Sequence, residues 1–180
     1  MPGAPAHTGG PRPLVNWRGG IDMARRRLTR DDLAVETCCF VCDPANEDGL
    51  QIEFYLDEDI GRVLADYTPP AAHEGAPRVI HGGVIGAILD DAMAWAVNVL
   101  SGSFGLTRRG EIEYSRIVRP GEPYTVTAWI SEIGQHRAAT VGELRDSEDR
   151  LCCATKAEFS LISHEEAKLA FERRAAAEGD

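Results

Sequence analysis

Basic residues are scarce in this chain. Nineteen lysines and arginines face 29 aspartates and glutamates, for a formal net charge of −10. That balance excludes an extended surface built to neutralise nucleic-acid phosphates, while leaving room for a local basic pocket toward a small phosphorylated ligand. Uninterrupted apolar runs are also short: no segment reads as the roughly 18 apolar residues of a spanning helix, and the opening MPGAPAHTGGPRP lacks the apolar block of a signal peptide. The expectation is a cytoplasmic protein with neither nucleic acid nor membrane as partner. Cysteine is present as five residues, an odd number, in CCFVC (Cys38, Cys39, Cys42) and CC (Cys152, Cys153), which suits reduced thiols better than a disulfide framework. Cys39 and Cys42 make one CxxC, but four-ligand zinc sites usually bring two such pairs and the second is missing. Small buried thiols beside a turn are the expectation, with no metal site.

Several catalytic signatures are absent too. The chain has no GxSxG elbow, no P-loop, no GxGxxG at a strand-to-helix turn and no HExxH. His73, His136 and His164 are scattered and read as surface or loop residues.

What is present is an ordinary globular composition, 43% hydrophobic and 27% charged, in 180 residues, enough for one domain with a real core. Residues 1–21, with four prolines and five glycines in the first 20, read as a flexible arm. Asp22–Val35 has helical composition and is expected to be a leading helix, although Met23, Leu28, Leu33 and Val35 follow one face only loosely. CDPANEDG breaks the pattern. In LQIEFYLDE, Leu50, Ile52, Phe54 and Leu56 alternate with polar partners, the period of a half-buried strand, and RVLADYT beyond Gly61 completes a hairpin. PPAAHEGAPRVIHGG holds three prolines and three glycines in 15 residues and is expected to be a long irregular loop. Residues 83–100 are too long an apolar run for a strand and predict a helix buried on most sides.

Alternation then returns four times, in LTRRGEIEYSRIV, PYTVTAWISEI, HRAATVGELRD and LCCATKAEFSLIS, separated by RPGE, GQ and DSEDR as expected hairpin turns. Ser163 followed by Glu166 is a capping box that opens a final helix over 164–180. The order implies an α+β fold: an antiparallel sheet of about six strands curled around one long central helix.

The chemistry concentrates on that helix. His81, Gly82 and Gly83 stand at its start, where backbone N–H groups lack intrahelical acceptors and sit at the positive end of the dipole. Such a terminus can bind an anion, polarise a carbonyl, or simply turn the chain into the helix. Asp90 and Asp91 follow nine and ten residues after His81 and, at about 100° per residue, point to different faces. A carboxylate in a core segment must be paired, protonated or open to a cleft. One that faces a cleft can act as a general base or a nucleophile.

The stretches CFVCDPANEDGL, HEGAPRVIHGGVIGAILDDAMAWA and LTRRGEIEYSRIVRPGEPYTV together resemble the hotdog-fold acyl-CoA thioesterases of the PaaI-like type, over about Cys39 to Ser163. The resemblance implies a domain over 22–163 and hydrolysis of an acyl-CoA or acyl-carrier-protein thioester. Asp90 would be the catalytic carboxylate, as base or nucleophile. Gly82 N–H would polarise the carbonyl, His81 would order the turn, and Thr107 would place the attacking water or the carboxylate. Gly83 and Gly75 are assigned to the substrate surface with Arg78, Arg108, Arg116 and Arg119, and Arg109 beside them, as cations for CoA phosphates. No cofactor is implied beyond the CoA of the substrate. Homodimers, and dimers of dimers, with sites between subunits are implied as well. Two departures stand out: Asp43 and Glu47 replace the Gly and Pro frequent in the family, and Gly75 offers no side chain where some relatives carry a helpful polar one. A hydratase or dehydratase on the same fold, or a non-catalytic acyl-CoA-binding or regulatory hotdog protein, are the alternatives.

Overall fold

The computed structural model describes residues 25–178 except 34 and 36. The expected arm over 1–21 and the start of the leading helix fall outside these residues.

The expected central helix is α1, Gly82–Ser101. It begins where His81 accepts a hydrogen bond from Gly83 N–H and ends where Gly102, at φ 67°, takes the left-handed turn that a Cβ would disfavour. Ile85, Ile88, Leu89, Ala92, Met93, Ala96 and Val97 recur at intervals of three and four and form one buried face, widened by Trp95. Against it curls a seven-stranded antiparallel sheet: β1 Arg25–Arg27, β2 Tyr55–Asp57, β3 Arg62–Tyr67, β7 Tyr124–Ile133, β8 Arg137–Asp146, β9 Leu151–Ile162 and β6 Phe104–Tyr114, in that spatial order. Strands β3, β6, β7, β8 and β9 all pack on α1. By length and composition α1 is apolar enough to cross a bilayer, contrary to the sequence expectation that no segment would be; in this fold the sheet takes up its apolar side chains.

Three local expectations need correction. Among the described residues, Arg25–Arg27 form a strand rather than part of a leading helix, in register with Tyr55–Asp57, and only Arg30–Asp32 make a single 3-10 turn. Leu28 and Leu33 are too few to bury a helical face. Leu28 instead donates its N–H to Phe54 O at 2.8 Å, and Asp32 accepts the Thr29 N–H at 2.8 Å, so cap and strand pairing override a weak helical propensity. With β1 the sheet has seven strands, in keeping with the expected antiparallel sheet of about six.

Residues 69–83 are not wholly irregular. They contain a 3-10 turn at Ala71–His73 and a two-stranded ribbon, β4 Glu74–Ala76 and β5 Val79–Ile80. Finally, RPGE turns the chain but closes no hairpin: β6 pairs with β9, whereas β7 lies between β3 and β8. Turn-forming residues report a change of direction, and strand partners are chosen by burial elsewhere. The GQ and DSEDR turns do close hairpins, with Gly134 N–H on Arg137 O and Asp146 accepting the Arg150 N–H. β2 is shorter than its alternation suggested, yet Ile52, Phe54 and Leu56 are buried as that pattern required.

The capping box holds as read. Glu166 accepts the Ser163 N–H at 2.8 Å, Ser163 Oγ accepts the Glu166 N–H at 3.1 Å, and α2 runs His164–Glu178. Phe171 of α2 meets Phe104 of β6 edge to face at 5.6 Å.

Edge strand β6 approaches α1 closely because Gly105 has no side chain: a Cβ there would lie 2.7 Å from Val97 Cγ1. Gly110 of the same strand faces open space. Gly105→Ala is expected to lower the unfolding free energy by about 1–3 kcal/mol, and Gly110→Ala to change it by less than about 0.5 kcal/mol, in urea titrations followed by circular dichroism.

Candidate active site

The N-terminus of α1 is held from three sides. Behind it, His81 N–H donates to His73 O at 2.8 Å, and Ile80 N–H donates to Val118 O at 2.9 Å. A Cβ on Gly75 would lie 2.8 Å from the His81 ring and 2.9 Å from its Cα, so the ribbon can sit this close only with glycine at that place. On the helix itself, His81 Nδ1 accepts the Gly83 N–H at 2.9 Å, which leaves that ring nitrogen as an acceptor and fixes the imidazole over the first turn. From β6, Tyr114 Oη donates to Gly82 O at 2.8 Å and its ring covers the place a Gly82 side chain would need. Gly82 N–H, at the first helical position, has no acceptor within the helix. His81 and Gly83 are exposed, so this positive helix end is open to a ligand.

His73 is supported in turn. Its Nδ1 lies 2.9 Å from Tyr67 Oη, the two rings stack at 6.1 Å between centroids, and burial pulls its pKa below the ordinary 6.5.

Two turns further along α1, Thr107 Oγ1 donates to Asp90 Oδ1 at 3.0 Å. Asp90 is exposed at one side and crowded by protein on the other; that burial pushes its carboxyl above the usual range, with the Thr107 hydrogen bond pulling the other way. The β6–β9 register shifts between Thr107 and Arg109, a bulge of the kind that bends a strand and re-aims its side chains. Thr107 is the last residue before it.

Asp91 goes elsewhere. Its Oδ1 accepts from Cys39 Sγ at 3.4 Å, Cys42 lies beside them, and Oδ2 is buried without a hydrogen bond among the described residues. Burial, then the charge at Cys39, holds the Asp91 carboxyl up to about 7. The Cys42 hydrogen bond draws Cys39 down, while Cys39 and burial push Cys42 up.

The structure thus brings together Asp90 with Thr107, and His81 with Gly82, Gly83 and Gly75. Arg78, Arg108, Arg109, Arg116 and Arg119 are all exposed, and among the described residues none of them enters an ion pair. Arg78 adopts φ 61° beside the β4–β5 turn. Sequence reasoning missed Tyr114 as the clamp on Gly82, Gly75 as a packing requirement of His81, and the Tyr67–His73 support. The Gly75–His81 and Tyr67–His73 pairs, each six residues apart, are local enough to have hinted at themselves. Of the two departures noted in the sequence, Asp43 is a buried carboxylate that pairs with Arg30 and accepts the Ala45 N–H at 2.9 Å, closing the cysteine turn from within.

Comparison with known proteins agrees with this architecture. Residues 78–153 match the thioesterase superfamily model. No curated protein matches the chain. Among solved structures, the chain is similar to a thioesterase superfamily protein at 25% identity and a TM-score of 0.62, over 67% of this chain and 58% of that one. It thus spans little more than half the length of that relative. It is also similar to a hypothetical thioesterase protein of Streptococcus pneumoniae TIGR4 with coenzyme A, at 17% identity and a TM-score of 0.55, over 57% of this chain and 80% of that one. The E. coli PaaI protein from the phenylacetic acid degradation operon is 20% identical with a TM-score of 0.54, over 57% of this chain and 74% of that one. The fold is the hotdog fold, and the resemblance read in the sequence is borne out.

Because His73 is held with a pKa below its unfolded 6.5, the unfolded chain binds the extra proton first. Its contribution to stability is present above about pH 6.5 and is lost as pH falls through the folded-state value. Urea unfolding between about pH 7 and pH 5 is expected to show a loss of stability on acidification that is smaller in His73→Phe than in the wild type.

Proposed function

We propose that this chain hydrolyses acyl thioesters of coenzyme A or an acyl carrier protein, with Asp90 as the reacting carboxylate. The observation that carries the reading is the Asp90–Thr107 pair: a carboxylate lifted above its usual range, open to solvent on one side and oriented by a 3.0 Å hydrogen bond. An oriented carboxylate of this kind either takes a proton from water or attacks the carbonyl itself. In both cases water ends in the carboxylic acid and the thiol leaves with a proton. The Gly82 N–H, at the positive end of α1, supports the developing negative charge on the thioester oxygen. The superfamily match over residues 78–153 and the coenzyme A in the Streptococcus pneumoniae structure support a CoA thioester as substrate.

One chain does not complete this site. Gly82 and Asp90 are eight residues apart on one helix, a rise of about 12 Å, too far to act on a single carbonyl. The proposal therefore includes a homodimer in which α1 of one copy supplies the helix terminus and the other supplies Asp90. Strand β6 is one edge of the sheet, 11 residues long and largely exposed, a ready template for pairing with a second copy. Arg78, Arg108, Arg116 and Arg119 surround the helix mouth and the β6 edge in sequence, and their guanidinium forks suit phosphate oxygens.

Free-thiol release from a panel of acyl-CoAs tests the reading. Asp90→Asn is expected to lower kcat by about 100-fold or more, Thr107→Ala by about tenfold, and Arg108→Ala to raise KM with little change in kcat. Full activity in Asp90→Asn would remove Asp90 from the mechanism. Binding of acyl-CoA without cleavage of any member of the panel would favour a non-catalytic acyl-binding protein.

A further inference from the structure

The carboxylate that the proposed reaction does not use meets the CxxC that the sequence left without partners. Cys39 Sγ, Cys42 Sγ and an Asp91 carboxylate oxygen all lie within 4.8 Å of one another. The two thiols come from the turn between residues 38 and 43; the carboxylate comes from the middle of α1, about 50 residues later. A sequence search for a second CxxC could not find it, because the third ligand is an aspartate supplied by the fold.

Several features of this corner are those of a metal site. A tetrahedral zinc ion with bonds of about 2.3 Å to sulfur and about 2.0 Å to oxygen sets those ligands about 3.5 Å apart. Cys39 Sγ and Asp91 Oδ1 are 3.4 Å apart. Val41 N–H points to Cys39 Sγ at 3.3 Å, an amide placed to stabilise a thiolate. The other carboxylate oxygen, Asp91 Oδ2, is buried and meets no nitrogen or hydroxyl donor among the described residues; the carboxylate faces the Cys39 and Cys42 thiols instead. The turn itself is tightly braced: Asp43 N–H donates to Cys39 O at 3.3 Å, Leu50 N–H to Phe40 O at 2.7 Å and Ile52 N–H to Val41 O at 2.8 Å. Both thiols are thus presented from a fixed backbone.

We propose that Cys39, Cys42 and Asp91 bind one Zn2+ ion that staples the cysteine turn to α1. Two soft sulfur donors select zinc over magnesium or calcium. Binding releases whatever protons the two thiols and the carboxyl still carry and leaves two thiolates and a carboxylate around the dication, with the fourth tetrahedral position for a water. The ion sits on a different face of the helix from Asp90. Its role is structural: it ligates the buried Asp91 carboxylate and anchors the segment of α1 that carries the adjacent Asp90.

The test uses the full chain, reduced, stripped with a chelator and titrated with Zn2+ alone against a chromophoric competitor. One equivalent per chain is expected, with affinity lowered at least about tenfold in Cys39→Ser and in Asp91→Asn and unchanged in Cys38→Ser. Co2+ in place of Zn2+ is expected to give thiolate-to-metal charge-transfer absorption and the visible bands of a four-coordinate ion. Mapping of alkylated cysteines in the wild type, with and without Zn2+, needs no variant to fold: Cys39 and Cys42 are expected to be protected and Cys38 not. Equal alkylation of Cys39 and Cys42 in both conditions overturns the proposal. So does a folded Cys39→Ser/Cys42→Ser variant that binds zinc as the wild type does. Neither readout depends on thioesterase activity.

Discussion

The apolar side chains of the 20-residue helix α1 have to leave water, and the rest of the structure answers to that requirement. An apolar helix of this length cannot be covered by a flat sheet, so the strands curl and five of them share its surface. The core made by Ile88, Leu89, Met93, Val97, Val63, Val126 and Phe159 is the direct result. Because one face of the helix is buried and most of its other residues are partly covered, a carboxylate on it needs an opening or a partner; buried Asn98 instead donates to Ala94 O of its own helix. Asp90 and Asp91, adjacent in the chain, leave through two different openings.

The two exits are built differently. Asp90 emerges where edge strand β6 runs along the helix, and Gly105 lets that strand come close enough for Thr107 to reach the carboxylate. Asp91 emerges against a turn from the N-terminal part of the chain, whose own carboxylate, Asp43, is neutralised by Arg30. One carboxylate keeps contact with solvent and the other meets two thiols. Helical periodicity alone sets the angle between them; what each meets depends on segments far away in sequence.

The helix terminus shows the same economy of space. Gly75, Gly82 and Gly83 lie where His81 and Tyr114 press against the backbone, and a methyl group at either of the first two sites would have to displace a ring. The α1 N-terminus is therefore positioned by rings packed on glycines, and its first-turn amides are presented without side chains in the way.

Much of this could be read from the residues in order. The length and apolar density of 83–100 called for a buried helix, strict alternation called for the last three strands, and Ser163 with Glu166 marked the start of α2, because each signal is carried by neighbours a few positions apart. Family spacing pointed to Thr107 as the residue that places the attacking water or the carboxylate; the structure puts its hydroxyl on Asp90. Only the tertiary structure decided that Arg25–Arg27 form an edge strand, that β6 passes to the far edge beside β9, and that Asp91 meets Cys39 and Cys42. Those outcomes depend on which distant segment buries against which, and local propensity, being weak, carries no record of the partner that overrides it.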